Sequence, residues 1–138
     1  MQLDVNTPLP SLTIRSHHPD STKEITLAVP VVNGGMGVGV TGPELAAAIT
    51  REGGGGVLTG VALGYPFQSI LGKYTDAKPF EANCLAIDEW VRTAKEKADG
   101  GFVGINIMVA LQDFKDIALQ SAKSGADLIV AGAGLPMA

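Results

Sequence analysis

Apolar and polar residues follow two different periods along the chain. Residues 11–32 predict a β-hairpin that leads into a first parallel strand, because "SLTIR" alternates, "SHHPDSTKE" is polar and "ITLAVPVV" is a returning apolar run. Over residues 33–138, apolar runs typical of buried strands alternate with segments of helical spacing. The strands predicted after the first are "GVLTGVAL", "FVGINIMVA" and "DLIVAGAG".

Three helices are predicted between these strands, over "TGPELAAAITREGG", "FEANCLAIDEWVRTAKEKADGG" and "LQDFKDIALQSAKSGA". Thr41 is predicted to cap the first helix, and Glu44 three residues later would complete a capping box. Strands that alternate with helices imply a parallel sheet with crossover connections. The pattern therefore predicts an α/β fold, with a hairpin followed by about four parallel strands and three helices, as in a (β/α) barrel or a doubly wound sheet.

Composition and charge narrow the classes of function. The net charge of −4 and an aromatic content of only 5% argue against a nucleic-acid partner. The single cysteine, Cys84, excludes an internal disulfide and a cysteine-based zinc site, so it is predicted to be a small packing residue, and no metal site is predicted. The N-terminus has no features of a signal peptide and no apolar run reaches the roughly 18 residues of a spanning helix, so we expect a cytoplasmic protein without a membrane partner.

The stretch from Gly37 to Gly42 matches the dinucleotide-binding pattern G-x-G-x-x-G. A Rossmann fold also needs an acidic residue about 20 positions later to bind the ribose. The residues from Gly53 to Thr75 contain no Asp or Glu, which disfavours a dinucleotide site. The glycines could also simply form a tight turn between strand and helix.

Small and polar residues follow three of the predicted strands, in Asn33-Gly34-Gly35, Thr59-Gly60 and Gly132-Ala133-Gly134. In parallel α/β sheets these carboxyl ends face the ligand. Small residues there leave space for a wide, flat ligand against the backbone. The amides of Asn33 and Asn106 could match the imide edge of a flavin or a nucleobase, although the pattern allows a structural role for Asn106 equally well. Met108 is predicted to be a core residue.

Three motifs, "VPVVNGGMGVGVTGPELAAAITREGGGGVL", "GINIMVALQDF" and "GADLIVAGAGLP", occur in this order and together resemble the nitronate monooxygenases and the related flavin-dependent enoyl-acyl-carrier-protein reductases. The resemblance runs from about Leu12 to Pro136. It implies a TIM barrel that binds FMN non-covalently at the carboxyl ends of its strands, with the hairpin covering the barrel floor. The cofactor-binding residues that it implies are Asn33, Gly34, Gly35, Met36, Asn106, Gly132, Ala133 and Gly134.

The chain has 138 residues, whereas a complete (β/α)₈ barrel needs about 250. We therefore expect one partial domain over residues 1–138, the first half of a TIM barrel. In the resembling family the phosphate-binding loops and the catalytic His belong to later strands. No catalytic residue is therefore assigned, enzymatic activity of the chain alone is left open, and FMN is expected to bind weakly or not at all. His17 and His18 are predicted to lie in a solvated turn, and Lys73 in an exposed loop.

Three functions follow from these observations as hypotheses. The first is the N-terminal part of an FMN-dependent oxidoreductase that oxidises alkyl nitronates with dioxygen. The second is a flavin-dependent reductase of enoyl thioesters. The third is a catalytically silent half barrel that acts through self-association, because open strand edges predict pairing with a second copy or with a complementary half barrel.

Overall fold

The structure is a computed structural model that describes residues 7–16, 20–63 and 79–135. It confirms a mixed α/β fold. In chain order the elements are β1 (Leu12–Arg15), β2 (Glu24–Leu27), α1 (Pro43–Arg51), β3 (Val57–Thr59), α2 (Pro79–Lys97), β4 (Gly104–Met108), α3 (Phe114–Lys123) and β5 (Leu128–Gly132). The predictions for His17, His18 and Lys73 fall outside the described residues.

The predicted hairpin is formed by β1 and β2, which pair antiparallel with Leu12 opposite Leu27 and Arg15 opposite Glu24. Alternation puts Leu27 on the inner side, where it is only 2% exposed. Arg15 Nε donates a 2.8 Å hydrogen bond to the Glu24 carboxylate on the exposed side. An exposed pair of this kind adds little stability, whereas the buried Leu27 stabilises the attachment of the hairpin to the domain.

The parallel sheet has the strand order β3-β4-β5. The prediction of four regular parallel strands is corrected at the first strand, because residues 29–33, here called the edge segment, form only an isolated parallel bridge between Val32 and Gly55. The physical reason is local: Pro30 has no N–H for a ladder, and the Asn33 side chain takes over part of the pairing with β3. The edge segment still runs beside β3, with 2.8 Å from Gly55 N to Val31 O.

The core lies between the sheet and the three helices. Leu58 and Ile105 share one row of the parallel sheet, and both are fully buried. The helices contribute apolar residues at helical spacing, and the cluster consists of Ala46, Leu58, Leu63, Ala86, Ile87, Trp90, Val91, Ala94, Val103, Ile105, Ile107 and Ile117. Met108 lies at the carboxyl end of β4 and is 39% exposed, so the prediction that it is a core residue was wrong.

The first helix begins one residue later than the sequence suggested. Its N-cap is Gly42, without a side-chain capping bond, and Pro43 is the first helical residue. The predicted capping box of Thr41 and Glu44 was therefore wrong. Glu44 instead lies 3.5 Å from the Lys97 ammonium, and the hydroxyl of Thr41 is used inside the preceding loop.

Asp127, just before β5, joins the hairpin to the amino-terminal end of the sheet. Its carboxylate accepts hydrogen bonds from Lys23 Nζ at 3.1 Å and Val103 N at 2.9 Å, and also from Lys95 Nζ. Burial opposes ionisation of Asp127, but these donors outweigh burial and hold the pKa of the carboxyl below its usual range. The hairpin is therefore attached at the end of the sheet opposite to the carboxyl ends of the strands.

Candidate functional site

Gly35, Asn106 and Gly132 meet at the carboxyl-terminal end of the sheet. Asn106 Nδ2 donates a 2.9 Å hydrogen bond to the Gly35 carbonyl. A Cβ atom on Gly35 would lie 2.6 Å from the Asn106 Cβ and would overlap the Leu58 carbonyl. A Cβ atom on Gly132 would lie 3.3 Å from Asn106 Oδ1. The two glycines thus let the backbone approach both sides of one amide side chain.

The Oδ1 atom of Asn106 is an available hydrogen-bond acceptor. Among the residues that the structure describes, its amide makes one side-chain bond, the donation from Nδ2 to Gly35. Every buried side-chain nitrogen and oxygen in the described part of the chain has a hydrogen-bond partner. Because Asn106 Oδ1 has none and its residue is only partly buried, this oxygen is accessible. An amide oxygen in this position can accept an N–H or O–H from a ligand.

The loop from Gly34 to Thr41 is closed by Thr41, which is 2% exposed. The Thr41 hydroxyl donates to the Gly34 carbonyl at 3.1 Å and accepts the Met36 N–H at 3.0 Å. The Thr41 N–H in turn donates to the Met36 carbonyl at 3.1 Å. This closed loop displays apolar side chains at its surface: Met36, Val38 and Val40 are 61%, 57% and 66% exposed.

Asn33 lies beside this group, but its amide is turned towards β3. Its Oδ1 accepts the Val57 N–H at 2.7 Å, and its Nδ2 donates to the carbonyls of Val57 at 2.8 Å and Gly34 at 3.1 Å. Both polar atoms of the side chain are therefore used to join the edge segment to β3. The amides of Asn33 and Asn106 therefore do not form one site in the structure.

Ala133 and Gly134 continue from β5 with left-handed backbone, at φ values of 54° and 148°. A Cβ atom on Gly134 would lie 3.3 Å from the Cβ of Val109, which follows β4. Ala62, after β3, also has a φ of 54°. The left-handed conformation costs a non-glycine residue about 1–2 kcal/mol. Such strain therefore occurs after β3 and β5, the two strands on either side of β4, at the end of the sheet that carries Asn106.

Thr41 and Asn83 are the residues of this region that sequence reasoning missed. Pro43 is a signal that could have located Thr41, because proline at the first helical position makes Gly42 the N-cap and leaves the threonine hydroxyl for the loop. Asn83, on α2 and 6% exposed, accepts the Leu63 N–H at 2.8 Å and donates to the Gly60 carbonyl at 3.4 Å. It shapes the chain that leaves β3, and no local pattern indicates this.

Other groups in the described residues offer little chemistry. Burial raises the pKa of the Cys84 thiol, and the nearby carboxylates of Asp113 and Asp116 raise it further, so the thiol stays protonated and weakly nucleophilic near neutral pH. No set of three or more His, Cys, Asp and Glu side chains is placed to hold a metal ion within the ranges that the structure covers. Over the same ranges, no helix is long and apolar enough to cross a membrane.

Comparison with known proteins confirms the predicted resemblance. The family model described as nitronate monooxygenase matches residues 19–138. No curated protein matches the chain. Because the matched segment covers most of the chain and includes all three quoted motifs, the chain belongs to the nitronate monooxygenase family, whose members are oxidoreductases that generally depend on a flavin.

Proposed function

We propose that this chain is the N-terminal part of an FMN-dependent oxidoreductase that oxidises alkyl nitronates with dioxygen, and that it forms the first half of a (β/α)₈ barrel. Family membership supports the class of reaction. The consecutive order β3-β4-β5 supports the barrel, as does the attachment of the hairpin at the amino-terminal end. The observation that carries the proposal is the accessible Asn106 amide between Gly35 and Gly132, at the end of the sheet where α/β barrels bind their ligands.

The residues present fit one edge of a flavin ring. The imide of the ring has an N–H donor, and Asn106 Oδ1 is an acceptor that has no donor among the described residues. Gly35 and Gly132 have no side chains to obstruct a planar ring beside this amide. When bound, the flavin would supply the electron transfer between nitronate and dioxygen. Asn106 would orient the ring, and the exposed side chain of Met36 would offer a soft apolar surface.

The roles of the other predicted contacts are part of the proposal. Gly34, Ala133 and Gly134 would line the site with backbone only. Asn33 would serve the flavin indirectly, by holding the edge segment against Val57. This chain would bind FMN weakly and through the flavin ring, because the described site offers an acceptor for the imide edge of the ring and an open surface for its flat face.

Nuclear magnetic resonance tests this assignment, since it detects weak binding. We expect FMN and riboflavin, which lacks the phosphate, to shift the signals of Gly35, Gly132 and the Asn106 side-chain amide to similar extents. Asn106→Ala should weaken binding about tenfold, the effect of losing one hydrogen bond. Gln120→Ala, a similar truncation on α3, should leave binding unchanged. Shifts confined to other residues, or none with a folded protein, would contradict the site.

The reaction itself is tested in the complete barrel to which the chain would contribute. We expect flavin-dependent oxygen uptake with an alkyl nitronate. Oxidation of a nicotinamide cofactor in the presence of an enoyl thioester, without oxygen uptake on the nitronate, would favour the reductase function instead.

A second candidate, self-association or pairing with a complementary half barrel, is favoured by the apolar groove along the edge segment. The groove has a volume of about 350 Å³ and is lined by Val29, Val31, Ala48, Ile49, Glu52 and Gly54. Val31 is 53% exposed, and burying such apolar surface is favourable. Val31→Lys should abolish association seen by light scattering, whereas Leu119→Lys, at a 59% exposed residue of α3, should not. A wild-type chain that is monomeric at high concentration would contradict self-association.

A further inference from the structure

The peptide group between Gly35 and Met36 is held from both of its ends. Its N–H, on Met36, donates to the Thr41 hydroxyl at 3.0 Å. Its C=O, on Gly35, accepts from Asn106 Nδ2 at 2.9 Å. Because a peptide group is planar, a rotation that breaks one of these bonds also moves the atom that makes the other. Thr41 and Asn106 are thus coupled through one rigid unit, although they do not bond to each other.

Thr41 is itself fixed in place. It is 2% exposed, its hydroxyl hydrogen is donated to the Gly34 carbonyl, and its backbone N–H is donated to the Met36 carbonyl. A hydroxyl has a single hydrogen, so its donation to Gly34 leaves the oxygen to accept the Met36 N–H. Serine could make the same two side-chain bonds, whereas valine, which has a similar shape, could make neither.

We propose that Thr41 is a positioning residue of the flavin site. By fixing the Gly35–Met36 peptide it presents the Gly35 carbonyl to Asn106 Nδ2, and the amide of Asn106 then has its oxygen on the open side next to Gly132. The site accordingly selects a planar ligand that offers a hydrogen-bond donor, such as an imide N–H. If the peptide were free to rotate, the amide could turn and place its own N–H against the N–H of the ligand. The choice of ligand rests on the function proposed above, but the coupling of Thr41 to Asn106 does not.

Two flavins test the selection of the donor: FMN and its analogue methylated at the imide nitrogen. For each protein we compare the affinity for FMN with the affinity for the analogue. This ratio should be about tenfold larger in the wild-type chain than in Asn106→Ala, which lacks the acceptor. Thr41→Val should reduce the ratio to that of Asn106→Ala, and Thr41→Ser should keep the wild-type ratio. If Thr41 only stabilised the fold, Thr41→Val would weaken both flavins equally and leave the ratio unchanged, which would overturn the proposal.

A measurement without ligand separates this proposal from the proposed function. The two side-chain N–H signals of Asn106 should be well separated in the wild-type chain and in Thr41→Ser, because one hydrogen is bonded to Gly35. In Thr41→Val they should move together, while the core methyl signals keep their positions. If neither flavin binds the wild-type chain, the proposed function fails and these signals still decide the role of Thr41. If the signals are the same in all three proteins, the positioning role fails even where FMN binds.

Discussion

The side-chain amide of Asn33 replaces part of the hydrogen bonding between two strands. Replacing its nitrogen by an oxygen, in Asn33→Asp, should therefore make the protein less stable at neutral pH than at acidic pH. Asn33→Asp keeps the shape of the side chain and the acceptor for the Val57 N–H, but it replaces the donating Nδ2 by an oxygen. That oxygen would face the Val57 carbonyl, now 2.8 Å from Nδ2, and the Gly34 carbonyl at 3.1 Å. An ionised carboxylate has no hydrogen to offer either of them.

The magnitude follows from the bonds that are lost. The Gly34 carbonyl still has the Thr41 hydroxyl, whereas the Val57 carbonyl loses the Asn33 donor in a buried position. Leaving one buried acceptor unsatisfied costs about 1–3 kcal/mol, and repulsion between the oxygens raises the cost to about 3 kcal/mol, a large part of the 5–15 kcal/mol typical of a domain. A protonated carboxyl can donate its O–H to Val57 and recover about 2 kcal/mol of this.

The sign of the pH dependence follows from the same bonds. Because the folded protein favours the protonated form, the pKa of the new carboxyl is raised above the usual value of about 3.9, and 2 kcal/mol corresponds to about 1.5 units. The recovered stability is fully present below the unfolded pKa of about 3.9 and is lost as the pH rises through the raised folded pKa, between about pH 3.5 and pH 6. Urea unfolding followed by circular dichroism at about pH 3.5 and pH 7.5, with the wild-type chain subtracted at each pH, measures the effect.

Asn33→Ala is the control, because it removes the same bonds without adding a titratable group. It should lose about 3 kcal/mol at both pH values. If Asn33→Asp were as stable as the wild-type chain at pH 7.5, or if its loss were as independent of pH as that of Asn33→Ala, the Asn33 amide would not pair with Val57 in solution and the account of the edge segment would be wrong.

Three further predictions concern other parts of the fold. Gly35→Ala should lower the free energy of unfolding by about 1–3 kcal/mol, because its Cβ would overlap atoms of β3 and β4; Gly34→Ala, whose Cβ would have no atom within 4 Å, should unfold at the wild-type urea concentration. Asp127→Asn should cost about 1–2 kcal/mol at pH 7, and because the pKa of Asp127 is held low, the difference from wild type should disappear as the pH falls below about 4; a difference that persists at pH 2.5 would show that the charge is not involved. Ala133→Gly should raise the thermal unfolding temperature, because the relief of about 1–2 kcal/mol of strain at φ 54° outweighs the entropic cost of glycine, about 0.5–1 kcal/mol, whereas Ala131→Gly, inside β5, should lower it; equal effects of the two changes would argue against strain at Ala133.

The periodicity of apolar residues predicted the hairpin, the three helices and the parallel strands, because each of these elements buries one continuous face. It overestimated the strands. "GVLTGVAL" contains only the short strand Val57–Thr59, since the chain leaves the sheet at Gly60 and adopts a left-handed conformation at Ala62. This departure depends on Asn83, 20 residues from the Leu63 N–H that it binds, and no local pattern could indicate it.

The sequence predicted which residues lie at the candidate site, but it did not predict the hydrogen bonds that their side chains make. Gly35, Asn106 and Gly132 could be named because the carboxyl ends of neighbouring parallel strands meet. The direction of the Asn33 amide depends on Val57, 24 residues away. The role of Thr41 depends on whether the helix starts at residue 42 or 43, and shifts of one residue are the usual limit of sequence-based boundaries.

The contact of Lys23 with Asp127 can form only late in synthesis of the chain. The two residues are 104 positions apart in the chain, so at about 5–20 residues per second the hairpin is synthesised about 5–20 s before its carboxylate partner exists. During that interval the hairpin lacks the ion pair between Lys23 and Asp127 that later joins it to the amino-terminal end of the sheet.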